Sequence, residues 1–235
     1  MMFGAHWAAM SPINLEFGFI EADAGAVASK FCEWQQSIGS QWKTEAVHGE
    51  SFCDALESLL PLTNCTSLRE IFMPTMSRWT AYFSNLLPNA DAQSRMSVLA
   101  RLLGCQALRV VNVENKVGQP KARYGATILE VFGPGQEGKL NYVRSIAAAN
   151  DGGRWVFEQS GEVQWFEEVE QYRERLVKNR FNREMLGRYL RALGIDSQDI
   201  NFFRNNETLL LHRTDSPPRQ LEYFTLEQAR ARYGG

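Results

Sequence analysis

The chain has 235 residues, of which 44% are hydrophobic and 22% are charged, and its formal net charge is −2. This composition is typical of a globular protein with a full hydrophobic core, and the missing basic excess argues against a nucleic-acid-binding protein. No apolar run approaches the roughly 20 residues that a membrane-spanning helix needs, so we expect no membrane association.

The first third of the chain predicts the order strand, helix, strand, helix. LEFGFIEA (15–22) alternates between apolar and other residues, which predicts a strand, and Asp23 can cap the helix that follows. WKTEAVH (42–48) predicts a second strand. Ser51 then begins a capping-box pattern ahead of a second apolar helix.

The middle of the chain predicts six strands and one helix. Met96, Leu99 and Leu103 lie on one side of a predicted helix at 91–103, which Gly104 ends. Short loops join the strands, and short loops favour antiparallel neighbours. The predicted strands are 69–76, 78–85, 107–114, 124–132, 141–149 and 154–159.

The last third predicts helices again. The spacing of Val169, Tyr172 and Leu176 predicts an amphipathic helix from Phe166 to about Lys178. Asn182 is placed to cap the next helix. Further along, 200–213 predicts a hairpin that turns at Asn205-Asn206, and Thr225 with Gln228 forms a capping box. Together the elements predict one α+β domain over 1–235, with a mainly antiparallel, twisted sheet covered by helices.

The four cysteines predict a reducing compartment. Cys32, Cys53, Cys65 and Cys105 form no CxxC pair, and three of them lie in or beside helix-like apolar runs. The N-terminal MMFGAHWAAMSPI also lacks the basic start of a signal peptide. We therefore expect free thiols and a cytoplasmic protein.

Two glycine-rich stretches resemble phosphate-binding loops. Asn150-Asp151-Gly152-Gly153-Arg154 lies between strand-like residues, which predicts a hairpin turn in which Asp151 accepts from the following amides. GPGQEGKL (133–140) satisfies both G-x-G-x-x-G and G-x-x-x-x-G-K, but Leu140 stands where magnesium binding needs Ser or Thr, and a strand follows instead of a helix. Both stretches therefore predict loops between strands.

The remaining motifs predict no catalytic or metal site. His48-Gly49-Glu50 matches the H-x-E of zinc deaminases, but no P-C-x-x-C follows it. The chain also has no G-x-S-x-G nucleophile elbow. The sequence leaves enzymatic activity undecided, favours a protein without it, and predicts no cofactor.

Basic residues cluster where the two predicted C-terminal helices meet. Two interpretations stay open: a solvated helical face stabilised by pairs such as Glu170–Arg173, or a docking site for an acidic partner. The cluster comprises Arg173, Arg175, Lys178, Arg180 and Arg183.

Several phrases resemble a family of bacterial proteins without an assigned activity. They are MPTMSRWTAYFSN, YGATILEVFGPG, AANDGGRWVFEQSGE, FEEVEQYRERLVKNRF and MLGRYLRALGI, which together span roughly 70–195. The family is similar in style to the immunity proteins that bacteria keep against polymorphic toxins. The resemblance implies no catalytic residues and a cognate toxin as the protein partner.

The sequence therefore predicts a non-catalytic protein that neutralises a toxin by binding it. Aromatic residues and arginines are good interface anchors, although Trp155 also suits a core position. The alternative is an enzyme or small-ligand protein with a pocket between sheet and helices, first tested at His48, Glu50, Asp151 and Arg154. Self-association is a third hypothesis, and the oligomeric state stays open. The candidate partner contacts are Trp79, Tyr82, Arg154, Trp155, Trp165 and Arg173.

Overall fold

A computed structural model of the protein describes residues 7, 9–49, 51–87, 92–116, 123–135, 141–216 and 220–233. Five α-helices and eleven strands have both ends within the described residues, and loops and short 3-10 turns join them. The helices are α1 (Ala24–Ser37), α2 (Phe52–Glu57), α3 (Ala92–Leu103), α4 (Arg183–Ala192) and α5 (Leu226–Tyr233). The strands are β1 (Glu16–Ile20), β2 (Trp42–Val47), β3 (Leu62–Thr63), β4 (Arg69–Pro74), β5 (Thr80–Ser84), β6 (Ala107–Val113), β7 (Ala126–Phe132), β8 (Tyr142–Asp151), β9 (Arg154–Gly161), β10 (Thr208–Arg213) and β11 (Tyr223–Phe224).

Nine of these strands form one antiparallel sheet in the order β2-β10-β4-β5-β1-β6-β7-β8-β9. Strands β6 to β9 are neighbours in sequence and form a meander. The other half is interleaved, because β10 from the C-terminal part lies between β2 and β4. A separate two-stranded ladder joins β3 and β11. The predicted α+β class with a mainly antiparallel sheet is confirmed.

The sheet carries a hydrophobic core on each face. Helices α1 and α3 cover one face, where Phe31 and Leu99 pack against Ile20 and Phe72 of the strands. The opposite face holds a larger cluster. It collects residues from the N-terminal stretch, α2, α4 and the connections around them, with Trp7 stacked on Phe52 at 5.4 Å between ring centroids. This three-layer arrangement buries both sides of the central strands.

Local sequence signals placed most element ends correctly. The Asp23 carboxylate accepts from Gly25 N and Ala26 N at the start of α1. Ser51 and Asp54 form the predicted capping box of α2, and Asn182 accepts from Met185 N at 3.0 Å to cap α4. These caps are confirmed because each depends on residues within one turn of helix.

Two predicted elements are wrong. The amphipathic spacing between 166 and 178 does not form a helix; the chain makes 3-10 turns at Val169–Arg173 and Val177–Asn179. Residues 200–213 do not form a hairpin, because Asn205–Glu207 is a 3-10 turn and β10 pairs with β2 and β4. In both places long-range partners outweigh local propensity.

The predicted loop at 133–140 is only partly described, because 136–140 lie outside the described residues, as do Glu50 and Asp91. The strand β8 that follows the loop is confirmed. All four cysteines are free thiols. Across the described residues, no helix combines the length and apolar character needed to cross a membrane.

Candidate functional site

Two of the six candidate partner contacts belong to the core. Trp79 and Tyr82 are each 1% exposed. The Trp79 indole donates to Leu193 O at 2.9 Å, and the Tyr82 ring packs beside Phe72 at 5.6 Å between centroids. Because β5 lies in the middle of the sheet with helical layers on both sides, its side chains contact the core on either face. Neither residue is a surface contact, which corrects that prediction.

The other four candidates lie on one continuous stretch of chain. Arg154 and Trp155 begin β9, while Trp165 and Arg173 lie in the residues that follow it, which we call the 162–176 segment. Trp155 is half-buried and packs against the core, whereas Arg154 and Arg173 are exposed. Trp165 is 76% exposed. The structure therefore places these four candidates along the edge strand and the chain that leaves it.

The Asn150–Arg154 loop is a two-residue hairpin turn, as predicted. Gly152 and Gly153 adopt φ values of +60° and +106°, which l-amino acids with a Cβ seldom reach. Asn150 Oδ1 accepts from Gly153 N at 2.8 Å. The capping acceptor is therefore Asn150, which corrects the role predicted for Asp151. A strand follows the turn, so no helix N-terminus faces it to hold a phosphate.

A buried ion pair fixes the start of the 162–176 segment to the sheet. The side chains of Arg144 on β8 and Glu167 are 2% and 0% exposed. Arg144 Nε donates to Glu167 Oε1 at 2.9 Å and Nη2 donates to Oε2 at 2.7 Å. Nη1 also donates to the main-chain oxygens of Ser160 and Gly161 at 3.3 and 3.1 Å. This bidentate pair ties the end of β9 and the segment to one guanidinium group.

Two tyrosines complete this buried network. The Tyr172 hydroxyl donates to Glu167 Oε2 at 2.8 Å and lies 3.0 Å from the Tyr189 hydroxyl of α4. Glu168 N donates to the Tyr189 hydroxyl at 2.8 Å. Burial, with the neighbouring hydroxyl and carboxylate, raises the pKa of Tyr172 above its usual value. Both tyrosines are therefore neutral hydrogen-bonding groups that join the segment to α4.

The 162–176 segment presents large apolar side chains to solvent. Four of the eleven exposed large hydrophobic residues in the described part of the chain lie in these fifteen positions. The Trp165 and Phe166 rings form a T-shaped pair, with 5.7 Å between their centroids. A concentration of exposed apolar residues in one short segment is a feature of protein-binding surfaces. The four residues are Val163, Trp165, Val169 and Leu176.

Charged residues alternate with these apolar residues along the segment, and several of them form ion pairs. Arg188 of α4 pairs with Glu168 at 2.6 Å, and its hydrogen bond lowers the pKa of that carboxyl. The predicted pair Glu170–Arg173 is present at 3.0 Å. Arg180 is not a solvated helical residue: its Nε donates to Glu174 O at 2.8 Å, and its guanidinium lies over the Phe157 ring. The segment thus combines exposed apolar residues with ion-paired residues of both signs, the residue classes from which protein interfaces are built.

The residues proposed for a small-ligand site are not brought together. His48 follows β2 at one end of the sheet, whereas Asp151 and Arg154 flank the turn between β8 and β9 at the other. Strands β2 and β8 are separated by seven interstrand spacings, or about 33 Å. In the part of the chain that the structure describes, no three His, Cys, Asp or Glu residues are grouped to hold a metal ion.

Clefts do occur elsewhere on the surface. One of about 430 Å³ lies between β10, β2 and the start of β4, where His212 Nε2 is 3.7 Å from Glu45 Oε1 and Arg69 also lines the wall. Another, of about 490 Å³, lies at the N-terminus of α1 and contains the Arg78–Glu21 pair at 3.0 Å. Sequence spacing did not indicate either cleft, because their residues come from distant strands.

Sequence reasoning also missed Arg144 and Glu167. Arg144 precedes the apolar run Ile146–Ala149 in β8, and a charged residue in such a strand is either exposed or paired with a buried partner. Glu167 is one of several glutamates between 162 and 174, and the pattern does not distinguish it from the exposed ones.

A search of protein-family models, of curated proteins and of solved structures finds no match to this chain.

Proposed function

We propose that this chain is a non-catalytic binding protein, that its partner is a bacterial toxin, and that it neutralises the toxin in the cytoplasm by direct contact. The observation that carries the binding role is Trp165, which is 76% exposed on a segment fixed by the buried Arg144–Glu167 pair. The resemblance to immunity proteins supports a toxin as the partner.

The geometry supports binding because the exposed groups are pre-organised. A flexible segment loses side-chain and backbone entropy when it binds, which lowers its affinity. Here Glu167, Tyr172 and Tyr189 hold the chain in one conformation before any partner arrives. Tryptophan is also among the residues most enriched at the energetic centres of interfaces. The segment therefore combines a strong anchor with a small entropic cost.

The experiment is capture of a partner from the native bacterium with three tagged chains: wild type, Trp165→Ala and Met76→Ala. Met76 is 68% exposed but lies between β4 and β5, away from the segment, which makes it the matched control. Mass spectrometry identifies the retained protein, and calorimetry with that purified protein gives Kd. We expect Trp165→Ala to weaken binding at least about thirtyfold and Met76→Ala to leave it unchanged.

The toxin assignment has its own test. Expression of the captured protein alone should arrest growth, and co-expression of the wild-type chain should restore it. A partner that is harmless to cells contradicts neutralisation while leaving the binding role in place. A chain that retains no partner, or equal binding by Trp165→Ala and wild type, contradicts the binding surface and directs attention to the clefts as ligand sites.

A further inference from the structure

The outer edge of β9 presents main-chain hydrogen-bonding groups to which another strand can pair. β9 has eight residues and ends the sheet, so no further strand of the described chain pairs with it. In a two-residue hairpin, the two residues that flank the turn form a main-chain hydrogen-bonded pair, and here they are Asp151 and Arg154. Along β9, every second residue after Arg154 is also hydrogen-bonded to β8. The N–H and C=O groups of Trp155, Phe157 and Gln159 therefore point away from β8.

The two edges of the sheet differ in how they are protected. The opposite edge strand β2 carries a lysine, Lys43, and edge lysines oppose strand pairing because pairing would desolvate them. β9 contains no lysine or proline, and its central Val156 is exposed. Its two charged residues, Arg154 and Glu158, are exposed, and neither has an ion-pair partner in the described part of the chain.

We propose that two copies of the chain associate through β9, pairing antiparallel about a two-fold axis at Val156 to continue the sheet. In this register Val156 lies opposite itself, Trp155 lies opposite Phe157, and Arg154 lies opposite Glu158. The pairing is symmetrical, so each dimer gains two Arg–Glu pairs and two aromatic pairs. The outward-facing main-chain groups of Trp155 and Phe157 meet as hydrogen-bonded pairs, which is the alternation that an antiparallel ladder requires.

Side-chain complementarity selects the second copy as the occupant. Opposite charges and aromatic residues directly across an antiparallel pair stabilise it, whereas like charges destabilise it. When two copies of β9 pair over residues 154–158, opposite charges face each other, aromatic residues face each other, and no like charges do. Trp155 and Phe157 already lie on the face packed against the core, so pairing would extend that apolar row across the two-fold axis. The five-residue match predicts a weak dimer that depends on concentration.

Charge reversal tests this register. Sedimentation velocity from about 1 μM to about 1 mM should show a monomer–dimer equilibrium for the wild type. Arg154→Glu and Glu158→Arg each place like charges opposite one another twice, which should raise the dimer Kd about tenfold. The double variant restores opposite charges and should return Kd to near the wild-type value. A wild type that stays monomeric, or a double variant weaker than both single variants, overturns the proposal.

Cross-linking provides a second test, because a disulfide traps even a weakly populated dimer and reports which residues face each other. In a Cys65→Ser background, which removes the exposed native thiol, Val156→Cys should form a disulfide-linked dimer under mild oxidation because the two positions face each other on the axis. Glu158→Cys is the matched control, since its two copies would be about 14 Å apart. Equal cross-linking of both variants, or none by Val156→Cys, contradicts pairing about Val156.

Discussion

The sheet has a meander half (β6–β9) and an interleaved half (β2, β10, β4 and β5), and both are antiparallel. They differ in whether neighbouring strands are also consecutive in the chain. In the meander each strand pairs with its sequence neighbour, as in the β7–β8 and β8–β9 ladders. In the interleaved half, residues 42–47 pair with residues 208–213. The proposed binding surface therefore lies on the locally built half, whereas the other half pairs residues more than 160 positions apart in the chain.

The two halves also differ in where their buried charges lie. In the meander, Arg144 and Glu167 form a fully buried pair that fixes the chain leaving the sheet. In the interleaved half, Glu70 is buried at 0% exposure and pairs with Arg95 of α3 at 3.0 Å. Burial raises the pKa of Glu70, and Arg95 opposes that shift. One pair therefore positions an exposed segment, while the other ties a covering helix to the sheet.

The largest effect should come from breaking the Arg144–Glu167 pair. Arg144→Met leaves a buried carboxylate without its partner, so we expect the free energy of unfolding to fall by about 3–5 kcal/mol. Limited proteolysis should cleave the variant first within 162–176. The exposed pair Arg188–Glu168 is the matched control, and Arg188→Met should cost less than about 1 kcal/mol. Equal losses for the two variants would show that the buried pair does not fix the segment.

A pair of leucine truncations separates the two halves kinetically. Leu129 of β7 and Leu211 of β10 are both 0% exposed, so each change to alanine should cost about 2–5 kcal/mol in equilibrium unfolding. Leu129→Ala should mainly slow folding, because local strand pairs form early, whereas Leu211→Ala should mainly accelerate unfolding. Stopped-flow chevron plots measure both rates. The reverse assignment would show that the interleaved half forms first.

A smaller effect is expected at the turn of the meander. Gly153 has φ +106°, so Gly153→Ala should cost about 1–2 kcal/mol from backbone strain alone, since a Cβ there meets no other atom within 4 Å. Gly152→Asn is the control, because asparagine tolerates φ near +60° and should leave the stability almost unchanged. Thermal unfolding followed by circular dichroism measures both. Similar losses would argue against the two-residue turn.

The smallest effect concerns a partly exposed pair, Arg213–Asp215, at the interleaved end of the sheet. Arg213 Nε and Gln41 N each donate to the Asp215 carboxylate at 2.9 Å, which lowers the pKa of Asp215 from 3.8 to about 2. A lowered pKa stabilises the fold above pH 3.8, and that contribution is lost as the pH falls towards 2. Asp215→Asn should therefore cost up to about 1 kcal/mol at pH 7, with the difference vanishing near pH 2.

The matched control for that titration is Asp151→Asn on the meander, whose carboxylate accepts no hydrogen bond from the described residues. Urea unfolding at several pH values compares each variant with the wild type. A pH-independent difference at position 215 would contradict the ion pair. Added salt should reduce the difference further, because the pair is partly exposed.

The meander and the helix caps were predictable from sequence because their information is local. The strand-like runs at 107–114 and 124–132, joined by a short loop, predicted two antiparallel neighbours, and Asp-Gly-Gly predicted the turn. The interleaved half was not predictable in the same way. β10 was expected to pair within 200–213, and nothing in that stretch specifies β2 and β4 as its partners.

The candidate site shows the same division. The sequence predicted six interface anchors. Arg154, Trp155, Trp165 and Arg173 lie on or beside the edge strand, but Trp79 and Tyr82 were predicted on the same grounds and are buried. Residue type alone does not separate an exposed aromatic from a buried one. The predicted helix at 166–178 would also have placed Trp165 just before a regular element. Instead, the segment is held by contacts of Glu167 and Tyr172 with residues of β8 and α4.

The α+β class, most strands and helices, the capping residues and the hairpin at 150–154 could all be predicted from the residues alone, because each depends on propensity and on hydrogen bonds within a few residues. Long-range packing places β10 between β2 and β4, prevents a helix at 162–176, and determines which tryptophans face solvent. Those outcomes depend on burial and on one buried ion pair, Arg144–Glu167, whose partners only the folded chain brings within 2.7 Å.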